Sequence, residues 1–576
     1  MALDPRGWES TSATWLRSAC TVLAAALALQ LPAELISPLV RVGPLGVTNV
    51  EATGYLLLLA WLAAIATRAL PRPRLRWWVL VAIGIFLVGA AIAAGLALYD
   101  RATAGKVLAR MVVALAIGLA AASLVSSGGR RWQIVAAAGL VGALFSAVTG
   151  LIEFTTGWTV LGRFFALFRV APISIGGFGT RATGTLLHPN LAGWYWGVCA
   201  IAAIAGALYQ RGLVRIGLVG AGLILYAALV LTLSRGALLG ILAAGIVLAI
   251  LMVRGHGRRF LPGATLIVAP LPVIVVLLSV FSPLIAARLR TETDIEWYHF
   301  AVAAPPSMVS TAATLTIPIT VTNDGPIVWP SSGTGSVLVS YHVRMTNGTY
   351  YDYDGISTEL PGSLPPHGSV TVDAHVLVTG RLTEAVIEWD LRQRGATWFS
   401  LRLPATLSTT RVQVQHAQTE PTKPVQPPPN AAAQQLLRSQ SFGRGDLWRI
   451  AVEMIEARPI FGIGLDNFRL GYGDWRGLST WDTTINTNNM YLELLVSVGL
   501  FALPLAAVGA AALLRLLRTV RRGSGPEALW LVTLVALLVH GLLDSFVLFS
   551  TALYLGAFAL AGGSLRRRVT NRRADS

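Results

Sequence analysis

The chain has 576 residues, of which 54% are hydrophobic and 13% charged, with a formal net charge of +17. Soluble domains carry roughly 25% charged residues, so most of this chain must lie in lipid rather than in water. The positive excess falls in short links between apolar stretches. Membrane topology and contact with anionic head groups account for it there, and no nucleic-acid partner is expected. The two cysteines, Cys20 and Cys199, both lie inside apolar stretches, which argues against a disulfide framework or a thiolate metal site.

In chain order, apolar segments lie near 14–35, 48–67, 77–98, 107–126, 132–155, 190–209, 213–233, 236–253, 263–288, 489–514, 526–547 and 551–565. A helix crossing the hydrocarbon core needs about 20 such residues, so about twelve spans are expected. The first segment lacks a small-residue cleavage site and reads as a span rather than a signal peptide. Every second link is rich in arginine. Arg68, Arg72, Arg74 and Arg76 fill one, Arg130 and Arg131 the next, then Arg211 and Arg215, and then Arg254, Arg258 and Arg259. Arg515, Arg518, Arg521 and Arg522 follow, and Arg566, Arg567 and Arg568 close the series. This bias predicts a multi-pass protein of the cytoplasmic membrane with both termini cytoplasmic. The external segments are then 36–47, 99–106, 156–189, the Ser234–Arg235 corner, 289–488 and a turn near Ser550.

The 289–488 segment is too long for a connector. Within 300–415, apolar residues alternate over 313–321 and 368–378, and turn signals such as Asn323-Asp324-Gly325 and Asn347-Gly348 separate the runs. Residues 386–390 and 396–400 add two strand candidates, and the whole reads as an all-β, Ig-like sandwich inserted between spans. Residues 416–440 form a Pro- and Ala-rich linker. Residues 441–488 return to order, with helical periodicity from Asp446 to Glu456 and a stop at Arg458-Pro459. The expected organisation is therefore nine spans in 1–290, the sandwich in 300–415, the linker, an external helical loop in 441–488, and three spans in 489–568.

Unusual polar residues gather on the external side of this topology. Arg181 and Gly184-Thr-Leu-Leu-His188-Pro-Asn190 lead into the sixth span. Thr232-Leu-Ser234-Arg235 turns into the eighth. Arg444, Trp448 and Arg449 follow the linker, Asn488, Asn489 and Tyr491 open the tenth span, and His540 and Asp544 share one face of the eleventh. Arg235 stands out, because a retention charge belongs on the opposite side; the structural alternative is an ion pair with a carboxylate such as Glu153. Arginine's planar fork suits diphosphate oxygens, and several such groups near the lipid interface suit a lipid-linked diphosphate.

The motifs Thr183-Gly-Thr…His188-Pro-Asn190, Leu231-Thr-Leu-Ser-Arg-Gly236, Arg444-Gly-Asp-Leu-Trp448…Arg458-Pro-Ile-Phe-Gly-Ile-Gly-Leu465 and Asn489-Met-Tyr-Leu-Glu-Leu-Leu…Gly499 resemble the O-antigen ligase and polymerase family. The resemblance covers roughly the membrane portion, 14–290 and 440–565. It implies a metal- and cofactor-independent membrane glycosyltransferase, working with a polyprenyl diphosphate-linked glycan donor and a glycan or lipid acceptor at the outer face of the membrane. On that resemblance Arg235, Arg444, Asn488 and His188 are the catalytic candidates. Arg181, Asn190, Ser234, Trp448, Arg449, Asn489, Tyr491, His540 and Asp544 would bind substrate. Asn488 stands where the family usually has histidine; it can orient a hydroxyl but cannot accept its proton. The alternatives are a transporter of a small anion and a glycan-binding relative without activity. A transporter would place polar, broken helices at the bilayer midplane.

Overall fold

A computed structural model describes residues 5–42, 45–127, 131–175, 178–290, 294–310, 314–333, 335–377, 382, 384–394, 397–403, 406–415, 435, 442–520, 525–545 and 549–565. Among these, ten helical stretches are long and apolar enough to cross a membrane. The chain is a polytopic α-helical membrane protein with a β-sandwich region.

The expected count of twelve is not reached, because the last two apolar segments form shorter helices. Pro526–His540 and Ser550–Ser564 have 15 residues each, or about 22 Å at 1.5 Å per residue, short of a hydrocarbon core about 30 Å thick. The expected tenth span is also broken. Met490–Val498 ends at Gly499 (φ 60°), a turn follows, and Ala502–Thr519 continues. Gly499 is required there: an added Cβ would lie 2.4 Å from both the Pro459 and Ile460 carbonyl oxygens. The nine residues between Asn489 and Gly499 are therefore one helix, cut off where the 459–464 loop presses in.

Chain parity brings one set of ends together. The arginines at 68–76, 131, 211–215, 254–259 and 515–518 lie at the helix ends of one side of the bundle. The starts of Pro189–Ala207, Arg235–His256 and Met490–Val498 lie on the other. Arg130, Arg521, Arg522 and Arg566–Arg568 fall outside the described residues.

The sandwich strands run between Phe300 and Val414 and leave the bundle on the side opposite the arginines. In one sheet Thr314–Asn323 lies between Ser369–Leu377 and Phe300–Ala303. The other has the order Thr358–Glu359, Val337–Arg344, Glu384–Gln393, Thr409–Val414, Ser307–Ser310, with Tyr350–Asp352 beside Val337–Arg344. The last pair is parallel and the others antiparallel. The alternation in 314–323 buries Leu315, Ile317, Ile319 and Val321, as a half-buried strand requires. The strand expected over 396–400 is not formed by its described part. Trp398 makes one bridge to Arg392, and Phe399–Arg402 turns into a short helix that buries Phe399 against Trp329 and Tyr298. Most of the linker expected over 416–440 lies outside the described residues.

Inside the bundle, Glu153 and Arg169 form a buried ion pair. Glu153 also accepts from the Thr183 and Gly184 amides, each at 2.9 Å, and from the Trp158 indole. Arg169 donates to the Gly184 and Leu186 carbonyls. Glu153 thus serves Arg169 and the 183–186 loop, and is not the partner of Arg235 that the sequence allowed. Removing one member of such a pair strands the other charge. Glu153→Ala should lower stability by about 3–5 kcal/mol, read as a fall in the melting temperature of purified protein; an unchanged melting temperature would show that the pair does not hold the loop.

Candidate active site

The site is built around an unwound turn. The helix Pro526–His540 stops at Gly541, and residues 541–545 continue without regular structure. Exposed carbonyls at membrane depth need donors, and the 444 and 486–491 segments provide them. Tyr491 Oη donates to the Leu538 carbonyl at 2.7 Å and the Met490 amide to Gly541 at 2.7 Å. Asn489 Nδ2 donates to Leu542 at 3.1 Å, Arg444 Nε to Leu543 at 3.2 Å, and Asn486 Nδ2 to Ser545 at 3.0 Å. Asn489 also caps its own helix, its Oδ1 accepting from the Tyr491 and Leu492 amides.

The corner at Ser234–Arg235 packs against the same turn. A Cβ on Gly236 would sit 2.5 Å from His540 Cδ2, and one on Gly240 would sit 2.8 Å from the Ala536 carbonyl. Glycines four apart let the two helices touch, a small-xxx-small contact of the kind membrane helices use. Ser234 Oγ accepts from the Ala237 amide as the N-cap of this helix, and Leu233 before it has φ 55°. Arg235 is half-buried at the first helical position.

A third segment closes the cluster. Arg181 is buried and donates through Nε to the Thr232 carbonyl at 2.7 Å and through its guanidinium to Asn190 Oδ1 at 2.6 Å. Asp544 lies 3.7 Å from His540 Nε2 and accepts from the Ser545 amide. His188 caps the Pro189–Ala207 helix, its Nδ1 accepting from the Asn190 amide at 3.2 Å, and its ring stacks on Phe549. Burial, and then the charge of Arg181, pushes His188 from 6.5 down to about 3. A neutral imidazole whose Nδ1 is already engaged is a poor proton acceptor near neutral pH.

The predicted residues therefore converge, with differences in role. Arg181, His188, Asn190, Ser234, Asn489 and Tyr491 have side chains committed to caps and cross-links. Asn488 is half-buried with φ 51°, a conformation asparagine tolerates better than most residues. Its amide donates to Asn486 Oδ1 at 2.9 Å, and its carboxamide makes no hydrogen bond among the described residues. Trp448 is half-buried, with its indole nitrogen buried and unbonded among the described residues. Arg449 is exposed and acts electrostatically on Glu453, so it does not join the cluster. Sequence reading missed Arg169, whose only signal was an arginine in a segment expected to be external and poor in positive charge.

The electrostatics are one-sided. Helix N-termini at Pro189, Arg235, Arg444 and Met490 meet here, together with the side chains of Arg181 and Arg444. Each N-terminus carries about half a positive charge, and such ends bind anions. Two buried carboxylates lie among them, Asp544 and Glu493, the latter in the first turn of the Met490 helix and accepting from the Thr487 amide. The fold and this cluster define a multi-pass membrane protein with an anion-attracting polar site at one end of its bundle.

Residues 400–507 match the family model described as O-Antigen ligase. That segment, similar to the O-antigen ligase family, holds the Arg444 helix, the donors at 486–491 and the short helix up to Gly499. No curated protein and no solved structure matches the chain.

Two outcomes follow from this geometry. Asn489→Ala removes a cap and strands the Leu542 carbonyl, and should cost about 1–3 kcal/mol in denaturation of the purified protein. His188 is held below its unfolded pKa of about 6.5. Its neutral form therefore contributes stability that is full above pH 6.5 and declines as pH falls towards 3. His188→Gln should flatten the loss of melting temperature between pH 7.5 and 5; parallel losses in both proteins would rule out that titration.

Proposed function

We propose that the protein transfers a glycan from a polyprenyl diphosphate carrier to an acceptor hydroxyl at the outer face of the cytoplasmic membrane. The observation that carries this reading is the meeting of Arg181, Arg444 and four helix N-termini at one end of the bundle, opposite the arginine-rich links. If those links face the cytoplasm, as the positive-inside bias predicts, the cluster faces outward. Charge of that density suits a diphosphate leaving group.

In the step proposed, the acceptor oxygen attacks the anomeric carbon and the bond from that carbon to the diphosphate oxygen breaks. The electron pair leaves with the diphosphate, where Arg235 and Arg444 stabilise the developing charge. Arg181 acts behind them by fixing Thr232 and Asn190. Asn488 orients the acceptor hydroxyl with its uncommitted carboxamide. The acceptor proton passes to Asp544, the buried carboxylate 3.7 Å from His540 Nε2. His188, neutral and capping a helix, is assigned to position Asn190 rather than to take the proton.

Arg235→Ala should lower transfer about 10²–10³-fold, in the range for loss of one charge-stabilising donor, while the protein still inserts and folds. Arg235→Lys should recover only part of the activity, since an ammonium lacks the planar fork. Transfer from a polyprenyl diphosphate oligosaccharide in proteoliposomes reads both. Wild-type rates in Arg235→Ala would overturn the assignment.

A further inference from the structure

A second site lies in the other half of the bundle. A cavity of about 610 Å³ opens between the helices Pro5–Gln30, Arg101–Ser126, Arg131–Thr156 and Ser550–Ser564 on one side and Pro189–Ala207, Gly212–Leu231 and Pro526–His540 on another. That is within the roughly 300–1,000 Å³ of small-molecule sites. Its wall is almost wholly aliphatic and aromatic. Ala202 shows how open it is: this residue is exposed, while Ile201, Ala203 and Ile204 beside it are buried. The Tyr195 hydroxyl in the wall is already bonded to the Gly139 carbonyl. An apolar space of this kind does not hold water, and an empty one of this size forfeits packing on every wall.

The shape and charge of the cavity indicate what fills it. Along Pro189–Ala207 the lining runs from Tyr195 to Gly206, roughly 16 Å at 1.5 Å per residue and so close to the thickness of one leaflet. It continues past the helix end to Trp132, Gln133, Tyr209 and Gln210, the amphipathic residues expected at a head-group boundary. Arg131, Arg211 and Arg215 adjoin the lining residues Trp132, Gln210 and Val214 in the chain, and Glu527 lies beside the lining Gly525. This is the end of the bundle away from the polar cluster. A lipid anchored by its phosphates at that cluster would enter from the opposite side.

We propose that the cavity is a binding site for an anionic phospholipid of the leaflet at the arginine-bearing end. Its acyl chains fill the cleft, and its phosphate lies among Arg131, Arg211 and Arg215. The site completes the packing between the Arg131–Thr156 helix and the helices that carry Asn190 and His540. It is independent of the glycan-transfer reading, since it uses none of those residues.

The test uses full-length protein in nanodiscs of mixed phosphatidylglycerol and phosphatidylethanolamine, followed by extraction and mass spectrometry of retained lipid. Wild type should retain phosphatidylglycerol at least tenfold above its share of the bilayer. The triple variant Arg131→Gln, Arg211→Gln, Arg215→Gln should lose that preference. Ala202→Trp should lose the bound lipid altogether. If Ala202→Trp does not fold, a phosphatidylglycerol with a diazirine in its acyl chain, irradiated with wild type, should leave adducts on Gly139, Ala202 and Leu218. Retention without head-group preference, adducts confined to the outer surface of the bundle, or a polyprenyl chain in place of the phospholipid would each overturn the proposal.

Discussion

The structure depends on one unwound turn. Where the Pro526–His540 helix ends, five carbonyls between Leu538 and Ser545 would face hydrocarbon without donors. In lipid such groups cost several kcal/mol each, so the chain must bring donors to them. It does so with side chains and amides from two segments far away in sequence, Arg444 and Asn486–Tyr491. The same bonds that satisfy the turn draw the start of the 444 helix, the start of the 490 helix and the end of the 526 helix into one place. The site is thus a by-product of paying the hydrogen-bond debt of a broken helix.

Close approach then adds the rest. Gly236 and Gly240 bring the Arg235 helix against His540 and Ala536, and Arg181 ties the 181–190 loop to Thr232. Behind that loop the buried Glu153–Arg169 pair holds the Gly184 backbone. Positive charge accumulates because helix starts, rather than ends, meet at this point. The partial charge of each start is small, and the sum is decisive because water is largely displaced. The other end of the bundle also carries arginine, but on exposed links beside an apolar cleft.

Much of this was legible in the sequence, because apolar length and arginine alternation are local properties and lipid imposes them strongly. The polar motifs at 181–190, 231–236, 444–449, 488–491 and 540–544 were recognisable as out of place in their surroundings, and the fold brings them together, without Trp448 and Arg449. Individual partners were not legible. Glu153 could have paired with any nearby arginine, and only packing selects Arg169 over Arg235. The Gly499 break was visible as a glycine, while the reason for it, the Pro459 and Ile460 carbonyls pressing in, lies some forty residues away in the chain. The failed strand near 396–400 had the right residues, but Phe399 finds a better-packed place in a short helix against Trp329.

The sequence by itself determined that this is a multi-pass membrane protein, which ends of its helices share a side, where a β-rich segment interrupts them, and which polar residues need explaining. These follow from solvent preference and period, which act residue by residue. Only the tertiary structure decided which polar residues serve as clamps and caps. It showed Arg181 and Arg169 committed to backbone carbonyls, His188 and Asn489 serving as caps, and the Asn488 carboxamide unbonded among the described residues. It also showed an aliphatic cleft that no motif announces. Hydrogen-bond partners and cavities are made between segments, so they are set by geometry that one-dimensional patterning does not contain.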